Sequence, residues 1–373
     1  MIYYIESRDT DPSRNLALEQ FVFDSLDRKH NYFMLWQNHN AIIVGKHQNT
    51  LEEINAAFVK ENDIRVVRRL SGGGAVYHDL GNLNFTFITD ADKQGIDSWR
   101  GFHTSPLGGD NKVCNLSPIP YENNIPSRTA DPRSSAGDVD FAVFCEPIRN
   151  ALLSFGVPVE ISGRNDMTVD GKKFSGNAQY IKEGRVMHHG TILYDSDMSV
   201  LSRALKPGAD KIESKGVKSA RSRVTNIRPY MKTDMSVAGF WTALKDFMVD
   251  AFGMEELTLG PGQNAAVEAL KEKVYSQWSW NYGNSPPHTL RKARRIEGCG
   301  KIEILLDLGK EGVINNAAFY GDFFGSREPA ELVELLKGRR LEREALKEAF
   351  LGVDISLYFH ALDINAFLAL LLE

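Results

Sequence analysis

Residues 68–79 of the chain read Arg-Arg-Leu-Ser-Gly-Gly-Gly-Ala-Val-Tyr-His-Asp, so three consecutive glycines follow two arginines. Glycine lets a ligand approach the backbone closely, and successive N–H groups in such a loop can bind an anion. The guanidinium of Arg69 adds a planar, permanently charged fork. Three glycines alone also occur in flexible turns, but the arginines and the strand-like residues around them favour a site for a small phosphate or carboxylate. The spacing matches neither a Walker loop nor a dinucleotide fingerprint.

Composition limits the class of protein. The chain has 373 residues, of which 42% are hydrophobic and 25% are charged, as expected for a soluble globular protein of two domains. The net charge of -5 provides no general attraction to nucleic acid or to an anionic membrane. The three cysteines, Cys114, Cys145 and Cys299, fit neither a disulfide framework nor a zinc site. Without a secretory signal pattern, we expect a cytoplasmic protein.

Hydrophobic periodicity places the glycines between two strands. Leu83, Phe85 and Phe87 alternate with polar residues, which predicts a strand with one apolar face. Further strands are predicted before the glycines, and helices are predicted from the spacing of apolar residues. The predicted strands are residues 32–36, 41–44 and 64–68, and the predicted helices are residues 15–26, 52–60, 141–155 and 237–252.

Two tight turns predict an antiparallel meander. Asp170-Gly171 and Glu183-Gly184 each separate strand-like segments, as in two-residue hairpins. Lys173 follows the first turn, where an ammonium group could neutralise a phosphate or a developing oxyanion. Asp166 precedes it and could hold Mg²⁺. The alternatives are a charged side chain on a surface turn for Lys173 and a turn-capping role for Asp166.

Composition also divides the chain. Residues 95–138 are rich in proline and lack periodicity, which predicts a surface insertion. Residues 253–265 contain Gly-Pro-Gly and predict a linker. We therefore expect a catalytic domain over residues 1–252 and a second unit over residues 266–373, where a hairpin of residues 301–308 and 313–320 precedes two or three short helices.

Several motifs together resemble the lipoate–protein ligases of the A type, within the wider biotin and lipoate ligase and octanoyltransferase family. The resemblance covers nearly the whole chain except residues 95–138, and its motifs are residues 68–79, 163–166, 173–176, 188–191, 215–217, 221–226 and 278–283. It implies an α+β fold of mixed, mostly antiparallel sheets flanked by helices, like class II synthetases and biotin ligases. It also implies a small α+β C-terminal accessory domain.

The resemblance implies a two-step reaction that needs ATP and Mg²⁺. Lipoate would attack ATP to give lipoyl-AMP and pyrophosphate, and a lysine of a lipoyl domain would then take the lipoyl group. Lys173 would be the catalytic residue, with Asp166 at the metal. The implied ATP contacts are Arg69, Gly74, Ala75, Val76, Tyr77 and Lys173, and the implied lipoate contacts are Ser71, Gly72, Gly73, Lys173 and His189.

The implied acceptors are E2 subunits of 2-oxoacid dehydrogenases and the glycine cleavage H protein. The basic run over residues 206–228 is either a solvated face or a docking surface for such acidic domains. One competing hypothesis is an octanoyl or lipoyl transferase that works without ATP. Its thiol-dependent form would need a reactive cysteine, whereas Cys145 lies in an apolar helical pattern typical of a core. The other is a non-catalytic lipoyl-nucleotide sensor.

Overall fold

The computed structural model of the chain describes residues 1–100, 140–162, 165–205, 224–283 and 289–372. The strands are β1 (Ile2–Glu6), β2 (Asn31–Trp36), β3 (Ala41–Val44), β4 (Arg65–Arg68), β5 (Val76–His78), β6 (Asn82–Asp90), β7 (Glu160–Ser162), β8 (Asp166–Val169), β9 (Lys172–Lys182), β10 (Arg185–Leu193), β11 (Glu255–Glu256), β12 (Leu290–Ile296), β13 (Gly300–Leu308) and β14 (Ile314–Gly321). The α-helices are α1 (Pro12–Ser25), α2 (Thr50–Glu53), α3 (Ala56–Glu61), α4 (Lys93–Asp97), α5 (Ala142–Ser154), α6 (Met198–Ala204), α7 (Val237–Phe252), α8 (Pro261–Leu270), α9 (Trp278–Tyr282), α10 (Ala330–Leu336), α11 (Arg343–Ala349) and α12 (Ile364–Leu372).

Three sheets organise the described residues. The large sheet has eight strands in the order β11-β1-β2-β6-β10-β9-β8-β7, and the two small sheets have the orders β4-β3-β5 and β12-β13-β14. β1 pairs in parallel with β2 and β11, and β3 pairs in parallel with β4. The other described strand pairs are antiparallel. This architecture confirms the predicted α+β class.

The meander β8-β9-β10 forms as predicted. Asp170 and Gly171 have φ values of 50° and 67°, and Glu183 and Gly184 have values of 50° and 71°. Positive φ at both central residues is the signature of the hairpin turn whose twist matches the flanking strands. The two turns therefore fix the register that carries Lys173 and the histidines of β10.

Both faces of the large sheet are covered. Phe85 and Phe87 on β6 belong to a core that includes Phe144 of α5 and Phe240 of α7. The opposite face packs against α1 and the small sheet β4-β3-β5, whose apolar residues form a second core. Asn82, Asn84, Thr86 and Thr89 of β6 are thus buried between two layers, although the alternation predicted only one apolar face.

The C-terminal residues have a core of their own. Side chains from β13, β14 and α10–α12 pack together, with Phe319, Phe359 and Phe367 at the centre. α8 begins at Pro261, inside the predicted linker, and packs on α1, where Arg14 Nε contacts Glu268 Oε1 at 2.8 Å. The proposed boundaries 1–252, 253–265 and 266–373 stay a prediction.

Three local predictions were wrong in detail. The helix predicted over residues 52–60 is split into α2 and α3, because Ile54 pairs with Leu205 and the Asn55 side chain caps α3. The helix predicted from residue 15 starts at Pro12, where the Asp11 carboxylate accepts a hydrogen bond from Ser13 N. The C-terminal hairpin gains a third strand, β12. Most of the predicted insertion and residues 206–223 of the basic run lie outside the described residues.

No α-helix in the described ranges combines the length and the apolar character that crossing a bilayer requires.

Candidate active site

A cavity of about 480 Å³ lies between the large sheet, the glycines and the C-terminal sheet. We call residues 71–75 the glycine loop. The large sheet contributes Asp166, Lys173, Gly176, Asn177, His189 and Thr191 to the wall. The loop and its flanking strands contribute Arg69, Gly73, Gly74, Ala75, Val76 and His78. The C-terminal sheet and the loops next to its strands contribute Arg295, Cys299, Asp322 and Phe324.

A β-bulge directs Lys173 into this cavity. Asp166 pairs with Gly176 and Thr168 pairs with Lys173, so one extra residue stands on β9 between the two pairs. Because Asp166 and Thr168 share a face of β8, the bulge places Lys173 on the same face as Gly176. The Lys173 ammonium lies only 3.0 Å from the position that a Cβ on Gly176 would occupy. Glycine at residue 176 therefore makes room for the lysine.

Lys173 forms an ion pair with Asp166. The Lys173 Nζ to Asp166 Oδ1 distance is 2.6 Å, and the two side chains are 39% and 35% exposed. An ion pair of this exposure contributes about 1 kcal/mol or less to stability. A phosphate or carboxylate entering the cavity can therefore replace Asp166 as the partner of the ammonium at little cost.

Arg69 supports the glycine loop from behind. Its Nε donates to Ser71 Oγ at 3.0 Å, and its Nη2 donates to the carbonyl oxygens of Gly72 and Gly74 at 2.6 and 2.9 Å. Burial lowers the pKa of Arg69 to about 10, while the carboxylate of Glu19 raises it, so the guanidinium stays charged at neutral pH. The fork thus fixes the loop backbone and also provides positive charge to the wall of the cavity.

A buried chain of hydrogen bonds connects Arg69 to α1. Ser71 Oγ lies 2.6 Å from His189 Nε2, and His189 Nδ1 lies 3.1 Å from Glu19 Oε1. A carboxylate can only accept, so His189 Nδ1 carries a proton, and in the neutral ring Nε2 accepts from the Ser71 hydroxyl. Through His189 and Ser71, the carboxylate of Glu19 is connected to the guanidinium of Arg69 and is its buried counterion. The Thr86 hydroxyl also donates to Glu19.

His78 lines the other side of the cavity and is held in one tautomer. The side-chain nitrogen of Asn15 donates to two backbone carbonyls and to Asn38 Oδ1, which fixes Asn38 Oδ1 as an acceptor. Asn38 Nδ2 therefore donates to His78 Nδ1, at 3.1 Å. The hydrogen of the neutral ring must then be on His78 Nε2. Burial lowers the pKa of His78 to about 3, so the ring stays neutral at physiological pH.

This pKa shift predicts acid sensitivity. Between about pH 6.5 and pH 3 the unfolded chain binds a proton at His78 that the folded chain does not bind, so the free energy of unfolding falls as the pH is lowered through this window. The His78→Gln variant should lack this component, with a slope smaller by up to about 1.4 kcal/mol per pH unit. Urea unfolding of both proteins at pH 7, 6 and 5 measures the difference. Parallel slopes would show that the pKa of His78 is the same in the folded and the unfolded chain and is not lowered by burial.

The C-terminal sheet is in direct contact with the glycine loop. Gly73 N donates to Phe323 O at 3.3 Å, and the ring of Phe324 lies against Gly73, whose φ of 87° requires glycine. His47 stacks on Phe323 with ring centroids 4.8 Å apart. The N–H of Gly73, which the sequence assigned to a ligand, is therefore bonded to the C-terminal residues in this structure. Beside Gly74 the space is open.

The predicted site residues separate into two groups. Ser71, Gly72 and Tyr77 do not line the cavity: Ser71 and Gly72 are the buried first residues of the loop, and the Tyr77 hydroxyl donates to Asn40 Oδ1. The other predicted residues share its wall, namely Arg69, Gly73, Gly74, Ala75, Val76, Asp166, Lys173 and His189. Their assignment to ATP, lipoate or metal stays a prediction.

Sequence reasoning missed the buried support and the third wall. Glu19 interrupts the apolar stripe of α1, three residues after Leu16 and four before Phe23, and a charge in such a stripe was an available signal. Asn84 stands between the apolar residues Leu83 and Phe85 of β6, so its polar side chain was also an available signal. No sequence pattern indicated that Arg295, Asp322 and Phe324 would reach the cavity, because this depends on how the C-terminal sheet packs.

The donor set fits a weakly held magnesium ion. Within the described ranges, no three His, Cys, Asp or Glu side chains converge as metal ligands. Asp166 supplies one carboxylate to the cavity, beside Lys173. Mg²⁺ is commonly held by one or two carboxylates together with substrate phosphates. Asp166 therefore suits an ion that arrives with a nucleotide.

Comparison with known families identifies the class of protein. Residues 11–106 and 126–249 match the family described as lipoyl protein ligase A/B catalytic domain, and residues 285–371 match the bacterial lipoate protein ligase C-terminus. The chain belongs to the lipoate–protein ligase family and is an enzyme of the ligase class.

Individual relatives agree along the whole length. The chain is 37% identical to lipoate-protein ligase LplJ of Bacillus subtilis, with 100% of both chains covered, and 36% identical to lipoate–protein ligase 1 of Staphylococcus aureus, with 95% and 94% covered. The fold is similar to that of P. falciparum LipL1 in complex with lipoate, with a TM-score of 0.71, 21% identity, and 99% and 97% of the chains covered. It is also similar to lipoate-protein ligase A bound with ATP, with a TM-score of 0.55, 22% identity, and 76% and 98% covered.

Proposed function

We propose that the enzyme activates free lipoate with ATP to lipoyl-AMP, and then transfers the lipoyl group to a lysine of a lipoyl domain. The observation that carries the proposal is the single cavity that joins the Lys173 ammonium, the open backbone beside Gly74 and the guanidinium of Arg69. Such a combination suits a reaction that builds negative charge on phosphate and carbonyl oxygens.

In the first step a carboxylate oxygen of lipoate attacks the α-phosphorus of ATP. The bond from that phosphorus to the oxygen of the departing pyrophosphate breaks, and lipoyl-AMP remains. Lys173 has moved from Asp166 to the reacting oxygens and stabilises the charge that develops on the α-phosphate. The backbone of Gly74, Ala75 and Val76 contacts the nucleotide.

In the second step the neutral ε-amine of the acceptor lysine attacks the lipoyl carbonyl carbon. The bond between the carbonyl carbon and the bridging oxygen of the mixed anhydride breaks, AMP leaves with that oxygen, and the nitrogen loses a proton to give the amide. In this proposal Lys173 also stabilises the oxyanion that forms on the same carbonyl, so one cation serves both steps.

Magnesium belongs to the proposal as a companion of ATP. Asp166 would hold it together with phosphate oxygens, and the ion would neutralise charge on the departing pyrophosphate. The role of Asp166 would then change during the reaction, from partner of Lys173 to metal ligand.

The proposed acceptors are E2 subunits of 2-oxoacid dehydrogenases and the glycine cleavage H protein, and the proposed location is the cytoplasm. The chain shares its fold with a bi-partite lipoate protein ligase from Thermoplasma acidophilum, at 24% identity, and that ligase was solved in a study of the ligase and its E2 lipoyl domain. This similarity of fold supports the proposal of an E2 lipoyl domain as acceptor. The acceptor lysine must reach the same cavity as the nucleotide.

Release of pyrophosphate tests the proposal directly. The enzyme is incubated with ATP, Mg²⁺ and either lipoate, octanoate or biotin, in the absence of an acceptor. We expect pyrophosphate with lipoate and none with biotin. Lipoylation of an acceptor from a carrier-bound acyl group, without ATP and without pyrophosphate, would instead identify a transferase.

The buried thiol of Cys145 provides a second way to distinguish a ligase from a thiol-dependent transferase. Cys145 on α5 is 1% exposed, and burial raises the pKa of its thiol, so it is protonated at neutral pH. We expect the Cys145→Ala variant to retain pyrophosphate release and acceptor lipoylation at rates close to those of the wild type. Loss of acyl transfer in a folded variant would show that the thiol carries the acyl group.

A further inference from the structure

His78 presents a buried hydrogen-bond donor to the cavity. Its side chain is 2% exposed and lines the wall, and Nε2 has no hydrogen-bond partner among the described residues. Asn38 fixes the opposite nitrogen as an acceptor, so Nε2 must carry the hydrogen. A buried donor without a partner is costly. This geometry indicates that a ligand atom completes the site.

The side-chain amide of Asn84 is a second buried donor in the wall of the cavity. Asn84 is 1% exposed and lines the cavity; its Oδ1 accepts from Asn82 Nδ2 at 2.9 Å, and its Nδ2 has no partner within the described ranges. Trp36, which is its neighbour on β2, meets His78 edge to face with ring centroids 6.2 Å apart. His78 and Asn84 thus bring two neutral donors to one end of a cavity that also has apolar walls.

Sheet register places these donors far from Lys173. Gly176 N donates to Thr191 Oγ1, Thr191 pairs with Asn84, and Asn84 pairs with Trp36. Adjacent strands are about 4.8 Å apart, so Asn84 lies about 10 Å from Gly176 and Trp36, which meets His78, lies about 14 Å from it. The Lys173 ammonium lies over Gly176 at one end of this row of residues. An extended medium-chain acid whose carboxylate meets Lys173 therefore directs its tail toward Asn84 and His78.

We infer that His78, assisted by Asn84, makes the enzyme prefer an acyl chain whose distal part carries a hydrogen-bond acceptor, such as a sulfur atom, over a plain hydrocarbon chain. The inference rests on the proposed function, because Lys173 must hold the carboxylate. Divalent sulfur is a weak acceptor and can approach an N–H, whereas a methylene leaves that donor desolvated and unpaired. A site built around a donor discriminates against the analogue that lacks the acceptor.

Competition between two acids of equal length tests the inference on the wild type. The probes are 6-thiaoctanoate and octanoate, which differ in one atom, and the readout is kcat/KM for acid-dependent pyrophosphate release. We expect a preference of about tenfold for the sulfur-containing acid, and a similar preference for lipoate over octanoate. Equal values for the two chain-matched acids would overturn the inference without any variant.

Variants of His78 then locate the preference. His78→Phe keeps a planar ring but removes the donor, and we expect the ratio to fall to near one, chiefly through higher kcat/KM for octanoate. His78→Gln keeps an N–H near the position of Nε2 and should keep most of the preference. A ratio unchanged in both variants would exclude His78, and urea unfolding of both confirms that folded proteins are compared.

The outcomes separate this inference from the proposed function. If the wild type releases no pyrophosphate with any of the acids, the proposed function fails and the inference fails with it. If all acids are activated but the ratio is insensitive to sulfur or to His78→Phe, only the inference fails. If the ratio responds as expected, the tail of the substrate lies against His78.

Discussion

Replacing Lys173 with alanine should reduce lipoate-dependent exchange between ATP and pyrophosphate by a factor of about 10²–10³. The bulge on β9 directs this ammonium into the cavity, beside the space that Gly176 leaves open. In the proposed mechanism it contacts both the α-phosphate and the lipoyl carbonyl, so its loss would remove stabilisation from both steps. The assay measures label exchange into ATP at saturating lipoate.

The neighbouring lysine is the matched control. Lys172 is exposed and does not line the cavity, so Lys172→Ala removes the same charge from the same hairpin without touching the site. We expect near-normal exchange. Because the Lys173–Asp166 pair is partly exposed, the free energy of unfolding of Lys173→Ala should lie within about 1 kcal/mol of the wild-type value. Normal exchange in Lys173→Ala, or equal losses in the two variants, would remove Lys173 from the mechanism.

The second large effect is expected at Arg69. In Arg69→Met the carbonyls of Gly72 and Gly74 lose their donor, and the buried Glu19 loses its counterion. Removal of one partner from buried opposite charges typically costs about 3–5 kcal/mol. We expect a decrease of this size in the free energy of unfolding, measured in urea, together with loss of pyrophosphate release.

Arg65, at the start of β4, provides the comparison for Arg69, which directly follows that strand. Its side chain is 59% exposed and contacts Asp11 at 3.0 Å, so Arg65→Met should change the free energy of unfolding by about 1 kcal/mol or less. If Arg69→Met were as stable as Arg65→Met and only raised the KM for ATP, the side chain would act as a ligand contact and not as the support of the glycine loop.

The sequence predicted the features of this fold that depend on residues close together in the chain, such as tight turns and amphipathic helices. The Asp-Gly and Glu-Gly turns predicted the meander, because few residue pairs adopt a positive φ at two adjacent positions. The amphipathic spacing predicted α7 at its observed bounds, Val237–Phe252. The break between α2 and α3 escaped because it depends on Ile54 pairing with Leu205, about 150 residues away in the chain. A contact between residues so far apart in the chain produces no periodic pattern in the local sequence.

The candidate site shows the same difference between local features, which the sequence predicted, and long-range contacts, which it did not. Lys173, Asp166 and the glycine loop were predicted from residue type and spacing, and they share one cavity. The chain from Arg69 through Ser71 and His189 to Glu19 joins three elements that are distant in sequence, so only the fold shows it. The bulge that turns Lys173 toward the cavity is likewise a property of strand pairing.

Isotope transfer during a single turnover tests the central claim most directly. Lipoate labelled with ¹⁸O in both carboxylate oxygens is incubated with the enzyme, ATP, Mg²⁺ and a lipoyl-domain acceptor, and the AMP is analysed by mass spectrometry. If the carboxylate attacks the α-phosphate, each AMP carries one ¹⁸O atom, and the amide keeps the other. Unlabelled AMP, or label found only in inorganic phosphate, would contradict activation through lipoyl-AMP.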